Sequence, residues 1–271
     1  MTRIPHPLNP AGIACAVGGH AFVTSTCSGL GALRDAPPPP GAPAPPPRFL
    51  RHADEHTVVA LRAVLEAIAA CPERPAPDRV AIVAAPCQSG RIAAARSLSQ
   101  LAVGGAVTVS PHLVPQASLH SVAGAVSVAL GMRGPHVGVG GGPDALVEGL
   151  VTAASLIGPA LGCDAAWLVA TDWEAEPHLD GAGTPSGDPV CRALALLLVP
   201  ADVAAVCPTL VVVPPSTAAP VAPETDLQQL ARAVAAAATG NGVVAWSAAC
   251  PWGGTIKLVP PAPSLVLRAS A

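Results

Sequence analysis

Tyrosine is missing from the sequence altogether, phenylalanine and methionine occur twice each, and lysine occurs once, at Lys257. With aromatics at 2%, platforms on which bases or sugar rings could stack are not expected. Charge is scarce too: 11% of residues are charged and the formal net charge is -3, so no basic surface is available to follow a phosphate backbone. No nucleic-acid partner is expected. No run reaches the roughly 18 uninterrupted apolar residues of a membrane span, because Pro200, Asp202 and Pro208 interrupt the most apolar region. Met1 to Pro10 carries Arg3 and three prolines without an apolar core of signal-peptide length, so a soluble cytoplasmic protein is expected. The cysteines at 15, 27, 71, 87, 163, 191, 207 and 250 form no C-x-x-C pair. That spacing argues against a zinc site and, without an export signal, against a disulfide framework. Small buried apolar thiols are expected instead, with no metal and no cofactor.

What is present is apolar and small. Hydrophobic residues make up 51% of 271 positions, ample for one large domain with irregular ends. Ala11 to Val17 reads as a first strand closed by a turn at Gly18-Gly19. Eight of the eleven residues from Pro37 to Pro47 are proline, which excludes helix and inner strand and leaves an exposed polyproline-like loop. Asp54 to Ala70 has Val58, Leu61, Leu65 and Ile68 at helical spacing behind Asp54 and Glu55, an amphipathic helix. Arg79 to Pro86 is a continuous apolar run, expected of a strand covered on both faces, and Cys87 to Arg91 turns into a helix that reaches about Leu101. Helix from Leu146 to Ile157, strand from Asp164 to Thr171, a turn-rich loop from Thr184 to Pro189 and strand from Cys191 to Val199 follow. Thr209 to Val213 (strand), Asp226 to Ala238 (helix), Gly242 to Trp246 (strand) and Thr255 to Val259 (strand) close the chain. This alternation predicts an α/β protein with a mixed, mostly parallel sheet and helices on both faces.

The stretch from Ser110 to Leu150 organises the rest. Ser118 to Leu130 places small and apolar residues on nearly every face, as a helix packed on all sides would, and Gly131 can end it. His136 to Val139 is a short strand candidate that runs directly into Gly140-Gly141-Gly142-Pro143-Asp144. The glycines permit a sharp turn, Pro143 suits a first helical position, and Asp144 suits a helix N-terminus. Strand, glycine turn and helix is a layout that presents a nucleophile or an anion at the turn, yet the turn holds no nucleophile.

Ser110-Pro111, the Pro115-x-x-Ser118 spacing, Ala123-Gly124 and Gly131-Met-Arg-Gly-Pro135 resemble the N-terminal half of the β-ketoacyl synthases, over roughly Gly12 to Pro200. The resemblance implies half of a thiolase-like fold with a truncated second repeat. Residues 1–200 would form the ketosynthase-like domain, with 37–47 as a loop, and 201–271 a short α/β extension. Family enzymes place a cysteine after the Arg-Gly-Pro element and draw two histidines from a second repeat. Here Gly140 to Asp144 occupies the cysteine's place, and all eight histidines precede Pro200. The pattern is similar to cysteine-less partners of the chain-length-factor type and to the short ketosynthase-like proteins of aryl-polyene pathways.

That resemblance implies a catalytically silent subunit, since covalent condensation needs a thiolate and oxyanion support. It would pair with an active β-ketoacyl synthase, shape its acyl tunnel in type II fatty-acid or polyketide synthesis, and meet acyl carrier protein indirectly. The implied interface is His136, Val137, Gly138 and Val139 with Ser118 and His120; the degenerate turn is Gly140 to Asp144. Two alternatives stand: an acyl-thioester hydrolase or decarboxylase using Cys87 or a turn-bound water, and a structural homodimer without an acyl ligand. Cys87 follows a strand end, where α/β crevices lie, but no histidine is near it in sequence. His112 and His120 flank Pro115 as channel-lining or interface residues. Asp172, Glu174 and Glu176 read as a solvated acidic turn, and Arg133 as a loop anchor on carbonyls.

Overall fold

Alternating strand and helix runs assemble around one eight-stranded sheet in the computed structural model, which describes residues 12–71, 75–88, 90–111, 113–158, 161–204, 207–215, 226–239 and 245–261. The strands are β1 (Ile13–Thr26), β2 (Val80–Pro86), β3 (His136–Gly138), β4 (Ala165–Trp173), β5 (Val190–Pro200), β6 (Thr209–Val213), β7 (Trp246–Ala249) and β8 (Thr255–Val259). Their order is β3-β2-β4-β5-β1-β6-β8-β7. The helices are α1 (Leu30–Asp35), α2 (Glu55–Ala70), α3 (Arg91–Gly104), α4 (Leu113–Gln116), α5 (Ser121–Leu130), α6 (Ala145–Leu156) and α7 (Leu227–Thr239).

All of β2 is buried, because each face of the sheet has its own core. Ala81, Val83 and Ala85 join the core under α6 and α7, while Val80, Ile82 and Ala84 join the one under α2 and α5. This is the two-sided burial that a continuous apolar run implies. The sheet is mixed as expected, but the parallel share is the smaller one. Only β3–β2 and β2–β4 are parallel, and the other neighbouring pairs are antiparallel. The reason lies in the connections: β4 reaches β5 through a turn-rich loop without a crossover helix, so β5 returns antiparallel.

Several expected boundaries move. β1 does not stop at Gly18-Gly19 but runs on to Thr26, with a register shift between Val17 and Gly19, because β5 pairs with it from Cys15 to Thr26. Its other edge takes β6, so the C-terminal strands extend the same sheet. β7 begins at Trp246; the rest of the expected Gly242 to Trp246 strand falls mainly outside the described residues. α5 starts only at Ser121, whose Oγ accepts from the Ser118 amide at 2.8 Å, and Val128 is 64% exposed, so the helix is not packed on all sides. The proline segment is coil, tied down where Arg62 Nη1 donates to the Pro37 carbonyl at 2.7 Å. Among the described residues no helix is long and apolar enough to cross a membrane.

α2 departs most from its amphipathic expectation, since it buries most of its length, including Glu55, His56 and Thr57 in its first turn. Asp54 caps it, accepting from the Thr57 amide at 2.8 Å, and its other oxygen accepts from the Gly90 amide at 2.9 Å. Burial, and then the neighbouring Asp54, push the Glu55 carboxyl up to about 7. Glu55 therefore keeps its proton in the native state to higher pH than in the unfolded chain. The stability this contributes is fully present below the unfolded value of 4.5 and is lost as pH rises through about 7. Glu55→Gln removes the titration. The stability difference between variant and wild type, from urea unfolding, is predicted to shift in the variant's favour by about 3 kcal/mol between pH 4.5 and pH 8.

Candidate functional site

A cavity of about 620 Å³ opens where β2 and β4 end, floored by Ala85, Ala170 and Thr171 and walled by Cys87, Trp173 and the start of α6. The chain reaches α6 through a turn held against β2. The Val139 amide donates to the Ala84 carbonyl at 2.9 Å and the Gly141 amide to the Pro86 carbonyl at 3.0 Å. Gly140 sits at φ 94°, and a Cβ there would lie 2.6 Å from that of Ala145, so only glycine makes this turn. Asp144 takes the N-cap position without a side-chain cap bond, and Pro143 therefore stands just before the cap and not at the first helical position. Of the five turn residues, Pro143 and Asp144 line the cavity.

Arg192 of β5 crosses from the other side. Its Nε and Nη2 donate to the two Asp172 oxygens at 2.8 and 2.7 Å, and Nη2 lies 3.4 Å from Asp226 Oδ1. Asp226 also accepts from the Gln228 amide at 3.0 Å, so one guanidinium ties β4, β5 and the start of α7 together. Asp172 holds Arg192 firmly protonated, while burial raises the Asp172 carboxyl against the pull of that pair. The supposed acidic turn is thus not one solvated group: Asp172 is mostly buried and paired, and Glu176 pairs with Arg91. Arg133 faces Asp78 at 3.7 Å, an exposed pair.

Cys87 does line the cavity, but burial and then Asp172 raise its thiol, away from the thiolate a nucleophile needs. Among the described residues no histidine lines the cavity. Behind the floor, His56 Nδ1 stands 2.8 Å from Thr171 Oγ1 and 3.9 Å from Cys191 Sγ, with Trp173 edge-on at 5.5 Å. Burial lowers His56 to about 3, which leaves a neutral ring too weakly basic to draw a proton from Thr171. His112 lies outside the described residues.

The interface candidates gather at the sheet's end. His136, Val137 and Gly138 form the terminal strand β3, with Val139 just past it, and parallel pairing turns residues 135, 137 and 139 toward β2. The amides of His136 and Gly138 then face the open edge. Ser118 and His120 lie in the segment beside it, where the His120 and His136 ring centroids are 5.1 Å apart. Arg192, Thr171, Trp173 and His56 escape sequence reasoning. One signal pointed to Arg192: it is a lone charge inside the apolar run of β5.

This architecture is that of the ketosynthases, the thiolase-like fold. A solved complex titled as a type II polyketide synthase acyl-carrier protein with its ketosynthase bound to the hexaketide (AntDE:AntF) matches at a TM-score of 0.51 and 16% identity, over 71% of this chain and 64% of that one. The chain thus spans just under two thirds of that relative's length. A ketosynthase (ApeO) in complex with its chain length factor (ApeC) from Xenorhabdus doucetiae also matches at a TM-score of 0.51, with 19% identity over 91% of this chain and 95% of the matched one. No protein-family model matches the sequence, and no curated protein does.

Truncating the central cation should unseat the site and the fold together. Arg192→Leu leaves Asp172 buried without its partner, and a loss of about 3 kcal/mol in urea unfolding is predicted.

Proposed function

We propose that this chain is a catalytically silent ketosynthase-like subunit. It pairs through the β3 edge with an active β-ketoacyl synthase and shapes that enzyme's acyl tunnel in type II polyketide or fatty-acid synthesis, where acyl carrier protein delivers the chain. The observation that carries this is the cavity itself. At the start of α6, where the resemblance puts a nucleophile, stands Asp144, and among the described residues no histidine lines the cavity. Four carboxylates, Asp144, Asp172, Glu174 and Asp226, share the cavity with one already paired arginine. Decarboxylative condensation starts from an anionic malonyl group, and a site with this charge balance gives such a group no hold. The near-complete coverage, on both sides, of a chain in a ketosynthase and chain-length-factor complex agrees with a subunit of this size.

Unpaired strand edges are ready templates for another chain. Among the described residues β3 ends the sheet, and its outward amides supply such a template. Co-expressed with its cognate β-ketoacyl synthase, the chain is expected to co-purify with it as a one-to-one heterodimer. His136→Pro removes an outward amide but no bond to β2. That variant, folded by circular dichroism, is expected to lose at least tenfold in affinity for the synthase; undiminished pairing would remove β3 from the interface. The second reading, an acyl-thioester enzyme, draws on Cys87 facing the cavity. An acyl adduct seen by intact mass and lost in Cys87→Ala would establish it instead.

A further inference from the structure

Beside the open edge lies a feature that the cavity does not use. His120 immediately precedes α5 and His136 opens β3, and the two segments meet at Gly138. A Cβ on Gly138 would lie 2.4 Å from the Leu119 carbonyl oxygen and 2.7 Å from the His120 amide nitrogen, so the glycine is what lets them touch. The imidazole centroids end 5.1 Å apart with their planes inclined by 33°. Both residues are exposed, and among the described residues neither ring has a hydrogen-bond or ion-pair partner.

We propose that His120 and His136 form a bidentate site for a divalent transition metal of borderline softness, such as Zn²⁺, Ni²⁺ or Cu²⁺. Imidazole nitrogen suits these ions, and histidine is their commonest protein ligand. A ring nitrogen binds Zn²⁺ at about 2.0–2.1 Å, and two such bonds near the tetrahedral angle hold the ring centroids roughly 5 Å apart. The separation found is 5.1 Å. One backbone belongs to a helix start and the other to a strand already bonded to β2, so the fold itself brings the two rings close and little backbone ordering opposes binding. Water completes the coordination. Motif spacing could not reveal the pair, since its members sit on different elements and meet only through tertiary contact.

Ni²⁺ is the probe. Isothermal titration of the full chain is expected to show a saturable site whose Kd rises at least tenfold in His120→Ala and in His136→Ala, and is unchanged in His178→Ala. X-ray absorption at the nickel edge should find two imidazoles in the wild type and one in each pair variant. An unchanged Kd in either pair variant, or a nickel sphere without two imidazoles, overturns the proposal. His136→Ala keeps the backbone amide, so loss of metal there is separable from loss of pairing with a synthase.

Discussion

Two amide hydrogen bonds, from Val139 to Ala84 and from Gly141 to Pro86, carry the chain alongside β2 beyond the end of β3, and the functional features depend on them. Because the segment is held there, α6 must begin against the ends of β2 and β4, which makes the cavity. For the same reason β3 spends its inward groups on β2 and, among the described residues, its outward ones face no further strand. Cavity and edge are therefore two consequences of one ladder. Glycine at 138 and 140 is what allows that ladder to bend so closely, against Leu119 on one side and Ala145 on the other.

Charge is rare in this chain and yet concentrated at the cavity. Arg192 is the hub: it joins the end of β4 to the start of α7, so the strands after residue 200 are tied to the first part of the chain by an ion pair as well as by the β1–β6 ladder. Such a buried pair contributes more to arrangement than to stability, since desolvation offsets much of its attraction. Cys87 is driven toward the thiol and His56 toward the neutral ring, and both shifts come chiefly from burial.

Much of this was legible in the residues. β2 announces itself as an uninterrupted apolar run, α2 by Asp54 ahead of Val58, Leu61, Leu65 and Ile68, and the turn into α6 by three glycines. Strand direction was not: the loop from Thr184 to Pro189 is legible, but the alternation of strand and helix along the rest of the chain suggests parallel crossovers, and only the pairing of β4 with β5 shows the antiparallel return. Gly18-Gly19 reads as a break, but the long ladder to β5 outweighs the local preference and absorbs it as a shift in register. Asp54 and Glu55 read as the acidic start of an amphipathic helix, whereas Glu55, His56 and Thr57 are buried by tertiary packing that no window of sequence contains. The cavity's residues come from six separate stretches, so only the fold could assemble them.

The most direct test is a condensation assay on the isolated chain, supplied with an acyl primer and malonyl groups on carrier protein and followed by mass spectrometry of the carrier-bound products. A silent subunit yields no β-ketoacyl product alone and alters product length when a catalytic synthase is added. Elongation by the chain unaided would contradict the account.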